Sequence, residues 1–196
     1  MSFIVISFYT VNSPYEREVK GLIDSLNAFN LKYDIQGINS LGSWQKNTIY
    51  KAQFIKEMII KHKGKNLVWI DADAVIKSDP FILSMIDSDV AFYYRTKGGR
   101  EGRIQEPCEL ISACMFMKAN DSVLRLLDMW IERNNNDHGD LEQHYLQQVI
   151  PEWRSQGGTH SVLPQQYCKI FDSQEDKIAV VQNQASRRFL AQMGGL

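Results

Sequence analysis

Cysteine is scarce in this 196-residue chain: Cys108, Cys114 and Cys168 form an odd set with no C-x-x-C pair. That excludes a disulfide framework or a structural zinc site and fits reduced thiols in a cytosol-like compartment. An excess of charge is also lacking, since 22 Lys+Arg stand against 23 Asp+Glu. A global electrostatic footprint for nucleic acid or an anionic membrane is thereby excluded, although a local patch is not. No apolar run approaches the roughly 20 residues of a membrane span. The opening stretch, Met1 to Thr10, has no basic region of the kind that starts a signal peptide. Repeats and low-complexity linkers are missing as well. The expectation is a cytoplasmic protein with no membrane partner. What is present is ordinary for a globular domain, 44% hydrophobic and 23% charged residues. At roughly 150 residues per domain, one domain is expected, and a chain of this size buries about 70% of its unfolded surface.

The pattern of apolar residues predicts alternating strands and helices. Phe3 to Tyr9 reads as a buried strand, and Ser13-Pro14-Tyr15-Glu16 as a capping box with Pro14 at the first helical position. Val19, Leu22, Ile23, Leu26 and Phe29 then follow at helical spacing. A strand over Leu31 to Ile38, a helix over Lys46 to Lys61 and a short buried strand over Asn66 to Ile70 come next. Asp79-Pro80 starts a short helix to Ile86, and Asp89 to Arg95 and Leu110 to Met117 read as strands around a Gly-rich basic loop, Lys97 to Arg103. A helix over Asp121 to Arg133 is broken by Asn134 to Gly139, and Asp140 to Ile150 forms another helix before Pro151. Val162 to Pro164 and Ile178 to Val181 are late strands. The order predicts an α/β domain with a largely parallel sheet.

The strongest chemical signal is Leu67-Val68-Trp69-Ile70-Asp71-Ala72-Asp73-Ala74. Open α/β sheets bind ligands beyond the carboxyl ends of their strands, where these acids fall. On an extended backbone, side chains two apart point the same way, so Asp71 and Asp73 would converge as hard oxygen ligands for Mg²⁺ or Mn²⁺. Two solvated acids in a loop are the bland alternative.

With Trp44…Asn47…Lys51-Ala52…Ile55 before it and Asp79-Pro80 after it, this segment resembles the nucleotide-diphospho-sugar transferases of the GT-A type. Ser112-Ala113 resembles that family's small-residue turn leading into a strand near the donor sugar. Glu142-Gln143-His144-Tyr145-Leu146 resembles its acidic helix start, and Leu163-Pro164…Tyr167 its late turn. The resemblance implies a GT-A-like, Rossmann-type, mostly parallel central sheet flanked by helices. The domain would span residues 1–185, with a tail over 186–196.

It also implies roles. Asp73 would hold the metal, with Asp71 on the ribose or on the metal through water. Thr10 and Asn12 would lie near the nucleotide base, Lys51 near the diphosphate and Ser112 near the donor. Glu142 would be the base or transition-state stabiliser, with Asp140 as a second catalytic acid. The donor would be a nucleoside-diphosphate sugar, a UDP-sugar first among them. One departure is the third metal ligand, a late histidine in many members, where this chain has Val180-Val181-Gln182-Asn183. Gln182 or Asn183 through a carbonyl oxygen, or His160 from elsewhere, could fill the place. Arg187 and Arg188 could meet donor phosphates. The basic stretch Arg95 to Arg103, with four basic residues and one acid, could be a lid over the donor or a contact to a polyanionic acceptor. The tail resembles small bacteriophage-type members, which makes a hydroxymethylated DNA base one candidate acceptor. Two rivals stay open: a haloacid-dehalogenase-type phosphatase, whose strand also ends in D-x-D, and a non-catalytic sugar-nucleotide binder.

Overall fold

The structure, a computed structural model, describes residues 3–96, 108–136, 139–170, 179–183 and 185. Strand β1 (Phe3–Thr10) leads through helix α1 (Tyr15–Ala28) to β2 (Tyr33–Ile38), and α2 (Trp44–Lys61) leads to β3 (Asn66–Ile70). Next come β4 (Ala74–Ile76), a single 3-10 turn at Phe81–Ser84, and the β5 (Val90–Thr96) and β6 (Cys108–Met117) pair. Helices α3 (Asp121–Asn136) and α4 (Glu142–Ser155) precede three short strands, β7 (His160–Val162), β8 (Lys169–Ile170) and β9 (Val180–Gln182).

Six strands form the central sheet in the order β2-β1-β3-β6-β5-β7. Only β6 runs against the others, so the sheet is mostly parallel, as the resemblance implied. Parallel strands covered on both faces read as continuous apolar runs, and β3 shows why. Leu67 and Trp69 pack towards α2, α3 and α4, while Val68 and Ile70 pack with α1 and the β4 side. The alternation of a strand thus feeds two separate cores. A second sheet, β4-β9-β8, lies beside the end of β3.

Several boundaries differ from the sequence reading. Pro151 does not end α4, which continues to Ser155. Trp153, fully buried and donating its indole N–H to the Ser122 carbonyl at 2.8 Å, holds the last turn in place. The Asn run does not break α3 at Arg133 either; Asn134 is buried, and its amide donates to the Ile49 carbonyl at 3.3 Å. The capping box is shifted, since Ser13 Oγ accepts from Tyr15 N and Glu16 reaches back to Asn12 N at 3.0 Å. Pro14 is the cap rather than the first helical residue. The expected helix to Ile86 shrinks to one 3-10 turn, and β4 was not anticipated. Residues 97–103 and 186–196, the basic loop and the tail, lie outside the described residues.

Candidate active site

Beyond the carboxyl ends of β1 and β3 lies a cavity of about 310 Å³, within the size range of small-molecule sites. Its floor is an ionic cluster. Lys51, on α2 and only 5% exposed, donates from Nζ to Glu142 Oε1 at 2.8 Å and to Ser112 Oγ at 3.0 Å. The same nitrogen lies 3.2 Å from Asp71 Oδ1 and 5.2 Å from the centre of the Trp69 ring. Ser112 in turn donates to Glu142 Oε1 at 2.6 Å. Burying an ion pair is tolerable only when the remaining polar atoms are satisfied too, and this cluster meets that condition.

Each member is delivered by a local feature of the fold. Glu142 is the first residue of α4, where the positive end of the helix dipole favours an acid. Its carbonyl accepts from the buried Trp130 indole at 2.8 Å, which locks the helix start. Ser112 and Ala113 are not a turn before a strand: they lie inside β6, where the pairing with β5 slips between Phe92 and Tyr93. That irregularity re-aims the local backbone, and the Ala113 carbonyl accepts from Asp71 N at 3.0 Å and from Gln182 Nε2 at 3.3 Å. Trp69, two residues before Asp71, donates its indole N–H to Asp71 Oδ1 at 2.8 Å.

The acids do not converge by strand alternation. Residues 71–73 form a turn, closed by Ala74 N donating to the Asp71 carbonyl at 3.0 Å. Asp71 and Asp73 nevertheless line the same cavity. Asp73 is 9% exposed, and its Oδ2 accepts from Ala185 N. Gln182 stands opposite Ala74 in the β4–β9 register. Its Oε1 is buried without a hydrogen-bond partner, and such an orphaned acceptor costs about 1–3 kcal/mol. Among the described residues no group of three His, Cys, Asp or Glu could hold a metal. Two carboxylates plus an orphaned amide oxygen are all-oxygen donors, and they fit Mg²⁺ or Mn²⁺.

The electrostatics follow from burial and neighbours. Burial pushes the Asp71 carboxyl up to about 6, with Lys51 opposing and Asp73 adding to the rise. Burial also resists ionisation of Glu142, but the charge and hydrogen bond of Lys51, with the Ser112 bond, hold its carboxyl below the ordinary range. Burial works against the Lys51 cation, and the charges of Asp71 and Glu142 more than offset it.

The cavity therefore gathers Thr10, Lys51, Asp71, Asp73, Ser112, Glu142 and Gln182. Asn12 is not among its lining residues; it sits at φ 56° on the exposed turn after β1. Asp140 is also outside the lining and binds His144 Nδ1 at the surface. His160, on β7, lies against Tyr94 and not in the cavity. Asn183 meets Asp73 through its backbone N–H at 3.4 Å. Arg187 and Arg188 lie outside the described residues. Sequence reasoning missed Tyr15 and Glu109 as lining residues, whereas Arg95, which also lines the cavity, opens the basic stretch expected as a lid or acceptor contact. Arg95 and Glu109 pair at 2.5 Å across the β5–β6 register, and only the hairpin expected around the basic loop could have signalled Glu109.

Residues 39–190 match the family profile described as nucleotide-diphospho-sugar transferase. No curated protein matches the chain in sequence. Among solved structures, the fold resembles a glycosyltransferase involved in glycosylation of the major capsid of PBCV-1, with TM-score 0.71 and 14% identity over 98% of this chain and 100% of that one. It also resembles the apo form of the glycosyltransferase GlyE of Streptococcus pneumoniae TIGR4, with TM-score 0.61 and 12% identity over 93% of this chain and 54% of that one. At these identities the structural likeness concerns the fold. The family match decides between the two resemblances drawn from the D-x-D strand, for the transferase and against the phosphatase. No helix among the described residues is long and apolar enough to cross a membrane.

Proposed function

The chain belongs to the nucleotide-diphospho-sugar transferase family, and from that membership we propose that it moves a sugar from a nucleoside-diphosphate sugar to an acceptor hydroxyl. UDP-sugar is the proposed donor, with Mn²⁺ or Mg²⁺ held by Asp71, Asp73 and Gln182. The observation that carries this reading is that Asp71, Asp73 and Gln182 line one cavity and that Gln182 Oε1 is buried without a hydrogen-bond partner. Such a cation supplies charge neutralisation for a departing diphosphate.

The remaining roles belong to side chains. Lys51 adds a fixed positive charge beside Asp71, and Glu142 with Ser112 positions its ammonium. Glu142 holds its proton weakly and already accepts two hydrogen bonds at Oε1. That favours the stabilising role over the base. Asp140, bonded to His144 away from the lining, has no part in the proposal. Thr10, at the end of β1, lines the same cavity and is assigned to the nucleotide in this proposal. An oxocarbenium-like transition state gains most from such positioning and preorganised charge.

The test is calorimetric titration of UDP, GDP and CDP with and without Mn²⁺, on the wild type and on Asp73→Asn. Metal-dependent binding of one nucleotide, lost in the variant, is expected. No nucleotide binding under any condition would overturn the proposal. Binding without turnover of any nucleotide sugar, even to water, would leave the non-catalytic binder.

A further inference from the structure

The rim of the cavity is built differently from its floor. Of the chain's four tryptophans, Trp69, Trp130 and Trp153 are at most 2% exposed, whereas Trp44 is 43% exposed and lines the cavity. It is the first residue of α2. Trp44, Asn47, Thr48 and Lys51 succeed one another on one face of that helix and all line the cavity. Positions 44 and 51 are two turns, about 10 Å of helix rise, apart. Leu141, 37% exposed, immediately precedes Glu142 and also lines the cavity. One exposed apolar side chain thus shares α2 with Lys51, and the other directly precedes Glu142. No hydrogen bond or ring contact engages the Trp44 indole among the described residues. Beside this apolar rim stands a polar edge: Glu109 accepts from Gln143 Nε2 at 2.9 Å and from Arg95 at 2.5 Å.

We propose that Trp44 and Leu141 form the acceptor subsite, and that it takes an uncharged hexopyranose ring. This inference rests on the glycosyl-transfer reading above. A pyranose presents one face of C–H groups and an edge of hydroxyls. The negative face of an indole attracts polarised C–H groups, and the carboxylate and amide of Glu109 and Gln143 suit the hydroxyl edge. Among the described residues, the charges at this rim do not favour a nucleic-acid strand. Arg95 is neutralised by Glu109, and the Asp140 carboxylate stands next to Leu141. A polyanion needs unpaired cations along its path.

Because Trp44 is the exposed tryptophan, acrylamide quenching of fluorescence reports on it, and Trp44→Phe identifies its component. The protein is saturated with UDP and Mn²⁺, as judged by calorimetry. It is then titrated with a panel of methyl α- and β-hexopyranosides and, separately, with a single-stranded DNA oligonucleotide. The expected result is that at least one glycoside lowers the quenching of the Trp44 component by about half as the ring face is covered, with no such change in Trp44→Phe. Protection by UDP and Mn²⁺ alone would make Trp44 a platform for the donor base and overturn the proposal. Protection by the oligonucleotide and by no glycoside would overturn it in favour of nucleic acid, and protection by none of the probes would overturn it outright. If calorimetry shows no nucleotide binding at all, the donor reading itself fails. Glycoside protection in that case would leave a sugar site but remove its role as an acceptor subsite.

Discussion

Lys51 and Glu142, 91 residues apart in the chain, meet at 2.8 Å with both side chains 7% exposed. The pair joins α2 to the first turn of α4 and sets the floor of the cavity. Removing one partner of such a pair strands a buried charge, which costs about 3–5 kcal/mol. Lys51→Met is expected to lose stability on that scale in urea unfolding. Lys51→Met combined with Glu142→Gln is expected to be more stable than Lys51→Met alone, because the stranded carboxylate is gone. A double variant no better than the single one would show that the pair is not coupled.

Gln182 offers a test of the metal assignment that does not depend on turnover. Gln182→Leu removes an amide whose Oε1 is unsatisfied and whose Nε2 makes one 3.3 Å bond. Relief of the orphaned acceptor offsets the lost bond, so stability in the absence of metal should not fall by more than about 1 kcal/mol. Mn²⁺ affinity, followed by electron paramagnetic resonance of the free ion, should fall at least about tenfold, the loss that even an outer-sphere partner of a metal causes. Unchanged Mn²⁺ binding would remove Gln182 from the ligand set.

Asp89 makes stability depend on acid. Burial raises its carboxyl, but bonds from Asn120 Nδ2 at 2.6 Å and Thr159 N at 3.0 Å more than offset this and hold it below the ordinary value. A folded-state value below the unfolded one means stabilisation that is complete above the unfolded value, near 3.9. It is lost as pH falls through the lower folded value. Asp89→Asn should therefore flatten the acid limb of a plot of unfolding midpoint against pH. An identical acid limb in the variant would contradict this.

Gly158 admits no side chain. A Cβ there would lie 2.2 Å from the indole of Trp153, which is fully buried and cannot move aside. Overpacking of this kind costs about 1–3 kcal/mol or more. Gly158→Ala should lower the thermal midpoint by several degrees, at about 2–4 °C per kcal/mol for a chain of this size. A midpoint within a degree of wild type would mean that the α4–β7 connection yields.

Much of the site was legible from local pattern. The apolar run ending in Asp71-Ala72-Asp73 located the cavity, and the order of Lys51, Ser112 and Glu142 along the chain marked three members of its floor. The small sheet β4-β9-β8 was legible only in part, through the strand expected over Ile178 to Val181. Strands of two or three residues carry too few side chains for a period to show. Pro151 was misread because its effect on a helix is local, while Trp153 anchors the turn beyond it through a contact with α3.

By itself the sequence determined the alternation of elements, the double-sided burial of β3 and the position of the acids at a strand end. Each follows from side-chain spacing within about ten residues, which backbone geometry converts directly into faces. Only the tertiary structure decided that residues 71–73 turn, that Ser112 sits in an irregular stretch of β6, and that Lys51 spends its charge on Glu142 and Asp71. It also decided that Gln182 arrives beside Asp73 through the β4–β9 pairing, and that Trp44 alone of the four tryptophans faces outward. These are contacts between segments far apart in the chain. Which side chain meets which is settled there by how packed layers share space, and no local period encodes it.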